Sequence, residues 1–448
     1  MSSATGQLRR SLGLWDLVFT GIIMVQPTAP MPLFGVVSDQ AKGHVVTTIL
    51  IAMVAMLFTA ISYGRMARAY PGAGSAYTYV GQEIHPALGY LTGWSMLMDY
   101  VLNPLICTIW CGKAAMNVFP WIPYPLWAFF FAGLFTMLNL RKIHSTARTN
   151  QVLTGAMSIV IVWMLVATAR FVMNLQHVDA AYFLRPFYDP QTFSVAAVST
   201  GTSLAVLTYI GFDGISTLSE EVKNPRRNIL LATVLVCLII GMLSAIEVYA
   251  AQLVWPHGEK FPDVDTAYVH VAGRAGGIVL FQVINLTLIV ATIGSGSGAQ
   301  LAGARLLYGM GRDGALPKGF FGYIDPKTHI PRNNVLAVGA VALGGAFLIT
   351  YEMGAELLNF GAFIGFMGVN IAAFLRYWVR GDSSSRNMGN FIPPLLGFAT
   401  CLYMWICLRT PSQIAGGAWL LAGLLYGAYK TKGFRENLVK FDVPDEVE

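Results

Sequence analysis

The sequence predicts an all-α polytopic membrane protein with twelve transmembrane helices. Three observations predict it. Charged residues are 12% and hydrophobic residues 55% of 448, where a soluble domain carries about 25% charged residues. The apolar residues gather in twelve blocks, each near the roughly 20 residues that a helix needs to cross a bilayer. The basic residues also alternate sides. With the N-terminus in the cytoplasm, 22 of the 29 Lys and Arg fall on the cytoplasmic side and 7 on the other. The positive-inside rule then places both termini in the cytoplasm. The net charge of +6 is thus a topology signal and implies no nucleic-acid partner. The partner is the lipid bilayer, and the chain is expected as a monomer or homodimer.

A polar segment, 1–13, precedes the first block, with no cleavable signal pattern behind it. Span one, 14–37, contains Met24–Pro32 (MVQPTAPMP), with Pro27, Pro30 and Pro32 inside six residues. Each proline removes a helix hydrogen bond and clashes with the preceding turn, so the helix should break there. Span two is 44–66. Span three, 87–116, carries Asp99 about twelve residues in, roughly 18 Å deep. Ser95, Asp99 and Asn103 share one of its faces. Spans four and five are 122–140 and 149–173, and an outer linker, 174–194, follows. Span six, 195–220, holds Gly211 and Gly214 around Phe212 and Asp213. Span seven, 228–254, carries Glu247 in its outer part, where it either reaches interfacial water or borders an exit path. After a second outer linker, 255–276, span eight is 277–308. Its Gly294–Gly298 (GSGSG) reads as small residues that let helices approach closely, because a nucleotide-binding loop would follow a strand. An inner linker, 309–333, leads to spans nine to twelve at 334–351, 355–378, 391–409 and 412–429, and a cytoplasmic tail, 430–448, ends the chain.

Several functions are excluded by composition. No P-loop pattern occurs, and none of the seven histidines lies mid-span or forms an HExxH pattern. The five cysteines all lie in predicted spans, as small apolar fillers. The tails are short for a nutrient sensor built on a transporter fold. No cofactor is implied beyond a transmembrane proton or potential gradient. Irregular backbone at membrane depth is tolerated only where it lines a cavity or is buried in protein. Spans one and six hold corresponding places in two five-helix halves, and paired breaks of this kind point to a secondary transporter's binding site.

Tyr70–Tyr79 (YPGAGSAYTY), Gly211–Gly214 (GFDG) with Glu220–Pro225 (EEVKNP), and Ala304–Pro317 (ARLLYGMGRDGALP) carry a resemblance over nearly the whole chain. The sequence resembles permeases of the amino acid–polyamine–organocation superfamily. Phe58–Gly64 (FTAISYG) and Gly93–Tyr100 (GWSMLMDY) look most like bacterial putrescine importers. The resemblance implies a five-plus-five inverted repeat of the LeuT type. Residues 14–173 and 195–378 would be the repeats, and 379–429 would hold peripheral helices 11 and 12. It implies a small amine or amino acid bound between spans one, three, six and eight, alternating access, and proton coupling or exchange in a bacterial inner membrane.

On that reading the substrate site comprises Met24, Val25, Gln26, Thr28, Asp99, Asn103, Tyr209, Gly211, Phe212, Asp213 and Gly214. A charge at mid-bilayer costs roughly 2.5–3.5 kcal/mol, so Asp213 and Asp99 are expected to be functional. Each either pairs with a substrate ammonium or carries a proton. The competing reading makes Asp213 a carboxylate satisfied by loose backbone amides and Asp99 a pin between helices. Tyr209 and Phe212 either add cation–π contacts of about 0.5–2 kcal/mol or simply pack. The three prolines supply no N–H, leaving donors at Gln26, Thr28 and Ala29, which suits an amine without a carboxylate. Ser295 and Ser297 either help bind sodium or serve close packing. Met157 stands where some proton-coupled relatives carry a lysine, which moves proton coupling toward Asp213 or Asp99. Glu220, Glu221 and Lys223 are expected to form a cytoplasmic gate or loop salt-bridge network.

Overall fold

A computed structural model describes residues 12–433, except 71–74, 142–146, 177, 257, 313, 315, 327, 384 and 385. Most of the tail and most of the N-terminal segment therefore lie outside the described residues, as does the Pro71–Gly74 part of the first motif. The described chain is helical. Span one is two helices, α1 (Leu14–Val25) and α2 (Phe34–Gln40). Next come α3 (Val45–Ala69), the short α4 (Ser75–Glu83), α5 (Pro86–Met116), α6 (Tyr124–Leu140) and α7 (Ala147–Met173). The linker 174–194, expected without helix, holds the short α8 (Ala180–Leu184). Span six is α9 (Val195–Ala205) and two 3-10 stretches, Val206–Tyr209 and Phe212–Glu221. Then follow α10 (Pro225–Val254), α11 (Ala267–Arg312), α12 (Lys318–Phe321) and α13 (Arg332–Leu348). Last are α14 (Tyr351–Phe374), with a π-helical end at Leu375–Val379, α15 (Met388–Ile406) and α16 (Thr410–Lys430).

Every predicted apolar block falls on helical backbone. Seven of these helical segments are each long and apolar enough to cross a membrane, and α1, α6 and α13 are shorter apolar helices. Of the rest, α5 runs 31 residues and α16 runs 21. The predicted linker 255–276 is corrected in its second half. Helix begins at Ala267 and runs into span eight across a kink at Gly277, whose φ of 74° suits a residue without Cβ.

Small residues bring the helices together, as expected where lipid offers no hydrophobic drive for association. A Cβ on Gly64 of α3 would stand 2.5 Å from the Cα of Leu230 on α10. Gly361 of α14 presses on the Ser95 carbonyl of α5, which explains why Ser95 is a packing residue. Amides pin other helix pairs. Asn139 of α6 donates to the Ser297 carbonyl and to Gln300 Oε1 of α11, each at 3.0 Å. Asn359 of α14 donates to the Ser203 and Leu204 carbonyls of α9, at 2.8 and 3.1 Å. The buried Glu83 of α4 accepts from Arg376 at 2.6 Å, Arg380 at 3.1 Å and the Tyr70 hydroxyl at 2.7 Å. Leu12 forms a lone parallel bridge with Val222, and the Lys223 N–H donates to the Leu12 carbonyl at 2.8 Å.

Gly64→Leu should lower stability in detergent by about 1–3 kcal/mol through overpacking. Gly133→Leu, where a Cβ meets nothing within 4 Å, should leave the thermal unfolding midpoint unchanged. Equal midpoints for the two variants would contradict the α3–α10 contact.

Candidate functional site

The first break follows from the prolines. α1 ends at Val25, and Gln26 takes a φ of 73° and ψ of 132°, outside the helical region. Turns then carry the chain to α2. They consume most of the free donors. The Gln26 N–H donates to the Ile22 carbonyl at 2.9 Å and the Ala29 N–H to the Gln26 carbonyl at 3.2 Å. Of the three N–H groups the prolines leave, only that of Thr28 makes no backbone hydrogen bond among the described residues. The Gln26 side chain crosses to α11 and donates to the Ala291 carbonyl at 3.2 Å.

The second break turns on Gly211. Its φ of 117° lies where a side chain is strained, and a Cβ there would stand 3.3 Å from the Met24 carbonyl. The two breaks therefore touch, Gly211 against Met24. The Gly211 N–H donates to Asp213 Oδ1 at 3.2 Å, so the carboxylate is aimed by the backbone of its own break.

Between the breaks, α5, α7 and α11 lies a cavity of about 800 Å³. Met24, Val25, Gln26, Thr28, Asp99, Asn103, Gly211, Asp213 and Gly214 all line it. Asp99 makes no hydrogen bond among the described residues and so is no helix-to-helix pin. It lies within electrostatic reach of Asp213. Asn103 Oδ1 accepts from the Cys107 thiol at 3.3 Å. Met157 lines the cavity and accepts from the Thr28 hydroxyl at 3.9 Å. Ser295 and Ser297 line it too, and the Ser297 hydroxyl donates to the Ile293 carbonyl at 2.7 Å.

Two expected residues are elsewhere. Tyr209 is buried outside the cavity, and its hydroxyl donates to the Ile49 carbonyl of α3 at 2.7 Å. Phe212 is buried between Tyr63 and Phe366, with ring centroids 5.6 and 5.5 Å away. In 3-10 geometry these rings turn to the core, and neither offers a face to a ligand in the cavity. Lys223 is exposed, and its backbone serves the bridge to Leu12. The side chains of Glu220 and Glu221 lie outside the described residues. Cys107, Trp110, Tyr100, Thr292 and Tyr351 line the cavity without having been singled out for it. Cys107 and Trp110 continue the Asp99–Asn103 face by one and two turns, a helical period legible in the sequence.

The cavity runs toward the α6–α7 and α11–α12 connections, where Asn139, Thr154 and Arg305 line it. At its other end it is closed. Phe34 of α2 meets Phe261 and Tyr268 edge-on, with centroids 5.9 and 5.7 Å away. Trp110 Nε1 donates to the Asp265 carbonyl at 2.8 Å, and Lys113 pairs with the Asp265 carboxylate at 2.5 Å. A central cavity between two interrupted helices, capped at one end by these contacts, is the geometry of a carrier.

Residues 32–415 match the family described as "Amino acid permease". The chain belongs to that family. It is 35% identical to the low-affinity putrescine importer PlaP of Escherichia coli, over 97% of both chains. It is 26% identical to the branched-chain amino acid permease BcaP of Lactococcus lactis, over 92% of this chain and 93% of that one. It is 24% identical to the methylthioribose transporter of Bacillus subtilis, over 96% and 95%. The protein is a multi-pass membrane permease and not an enzyme.

The thiols offer a check on the cavity. Cys107 lines it, whereas Cys237 is 1% exposed and does not. N-ethylmaleimide should modify Cys107 well before Cys237, read by peptide mass spectrometry. Equal rates at the two cysteines would contradict an open cavity.

Proposed function

We propose that this permease is a secondary transporter that imports a small organic cation of the putrescine kind by alternating access. One observation carries the choice of substrate. The cavity presents two carboxylates, Asp99 and Asp213, while its first break has used up nearly all its N–H donors. A substrate carboxylate would meet repulsion and few partners, and a buried polar group without partners is costly. A diamine meets two anions. The similarity to a putrescine importer supports the same reading.

On this reading the chain spans the membrane twelve times in a bacterial inner membrane, with both termini cytoplasmic. Residues 14–173 and 195–378 form the two inverted repeats, and 379–429 the peripheral pair. The touching breaks support that pairing, because span one and span six begin the two halves. The cavity, open on the basic-rich side, is then the inward-facing state. Asp213 and Asp99 bind the amine, and a proton exchanges with it there. A membrane potential of 100 mV adds about 4.6 kcal/mol for a divalent amine, so the potential drives uptake alongside any pH gradient. A substrate exchanger for amino acids is the alternative, favoured by the similarity to an amino acid permease. It requires uptake that rises on preloading.

Labelled putrescine should enter proteoliposomes saturably. Asp213→Asn and Asp99→Asn should each weaken apparent affinity tenfold or more, about 1.4 kcal/mol per decade. Saturable uptake of neutral amino acids, with putrescine inert and Asp99→Asn unaffected, would sink the amine reading.

A further inference from the structure

Glu247 lies on α10, seven residues before its end, and the structure gives it neither of the places expected for an outer-span glutamate. It is fully buried and does not line the cavity. Neither carboxylate oxygen has a hydrogen-bond partner among the described residues. Ser244, three residues earlier on the same face, is also fully buried, with a hydroxyl that has no partner there. An isolated ionised carboxylate in such surroundings is costly.

The surroundings tie this group to the closure of the cavity. The Tyr268 hydroxyl of α11 donates to the Glu247 carbonyl at 3.4 Å. The same Tyr268 ring meets Phe34 of α2, part of the lid that seals the outer end. Among the described residues Tyr268 is the titratable group that faces Glu247. His270, also of α11, meets the Phe281 ring with centroids 5.4 Å apart. His44, before α3, has its ring nitrogens on the Ala41 carbonyl and the Asp189 N–H. Tyr63 of α3 packs on Phe212. Arg65 of α3 donates to the Gly389 carbonyl, Asp16 of α1 accepts from the Gly13 N–H, and Arg170 of α7 is exposed. Asp213 lines the cavity.

We propose that Glu247 is a proton-binding site of this permease, separate from the substrate cavity. It binds a proton when the Phe34–Tyr268 lid is open and holds it, as a carboxylic acid, when the lid is shut. The lid cannot close over an ionised Glu247, so closure waits on a proton taken up from the lid side, which returns to that side when the lid reopens; the site gates the lid and transfers no net proton. This rests on alternating access, the mechanism proposed above.

The test uses the full-length protein in proteoliposomes, with labelled putrescine as the probe. With the membrane potential held fixed, lowering the outer pH should speed wild-type uptake, by up to about tenfold per pH unit while protonation of Glu247 limits lid closure. Glu247→Gln, which keeps the shape of the neutral acid, should retain putrescine counterflow and lose that response. A variant that keeps the wild-type response overturns the proposal, as does a wild type that exchanges putrescine but ignores the outer pH. A second measurement depends neither on the substrate nor on folding of Glu247→Gln. In an Asp99→Asn/Asp213→Asn background, infrared spectroscopy at neutral pH should still show the carbonyl band of a buried carboxylic acid, and Glu247→Asp should shift it. Absence of that band overturns the proposal, whereas loss of counterflow in the wild type with the band intact refutes only the choice of substrate.

Discussion

Every backbone N–H and C=O at membrane depth must find a partner within the protein. That constraint makes the two interruptions informative. A helix broken in lipid exposes polar backbone, so each break here is enclosed by other helices and answered by nearby groups. At the first break the turns satisfy one another and Gln26 reaches across to α11. At the second, the Asp213 carboxylate takes the Gly211 N–H. The cavity exists because both solutions leave space between the broken ends, and the close fit of Gly211 on Met24 fixes where that space lies.

The rest of the fold serves to hold this pair in place. Small residues set the spacing of α3 against α10 and of α5 against α14, and buried amides fix the α6–α11 and α9–α14 contacts. Such contacts have two discrete arrangements more readily than a continuum, because a packed interior resists gradual deformation. The outer lid is different in kind. It is built of aromatic edges and the ion pairs of Lys113 with Asp265 and Asp263, which part at lower cost than an interdigitated helix pair.

Much of this was legible in the sequence, for physical reasons. Proline and glycine act on the backbone locally, so Pro27, Pro30, Pro32 and Gly211 announced the breaks without knowledge of any partner. Asp99 and Asp213 were legible because a charge in an apolar run needs a polar destination. What the sequence withheld was the rotation of helix faces. Tyr209 and Phe212 neighbour a site residue in the chain, yet the 3-10 turn points them at Ile49, Tyr63 and Phe366. Glu247 looked interfacial from its distance to the helix end, but burial depends on what α11 lays over it. The helix at Ala267–Gly276 was hidden because its small and charged residues carry no apolar run.

The bridge between Leu12 and Val222 has a mechanical meaning. It couples the entry of the first broken helix to the exit of the second across 210 residues of chain. The first half of one broken helix and the last half of the other are thereby yoked, so that a displacement of either pulls on its partner without passing through the cavity.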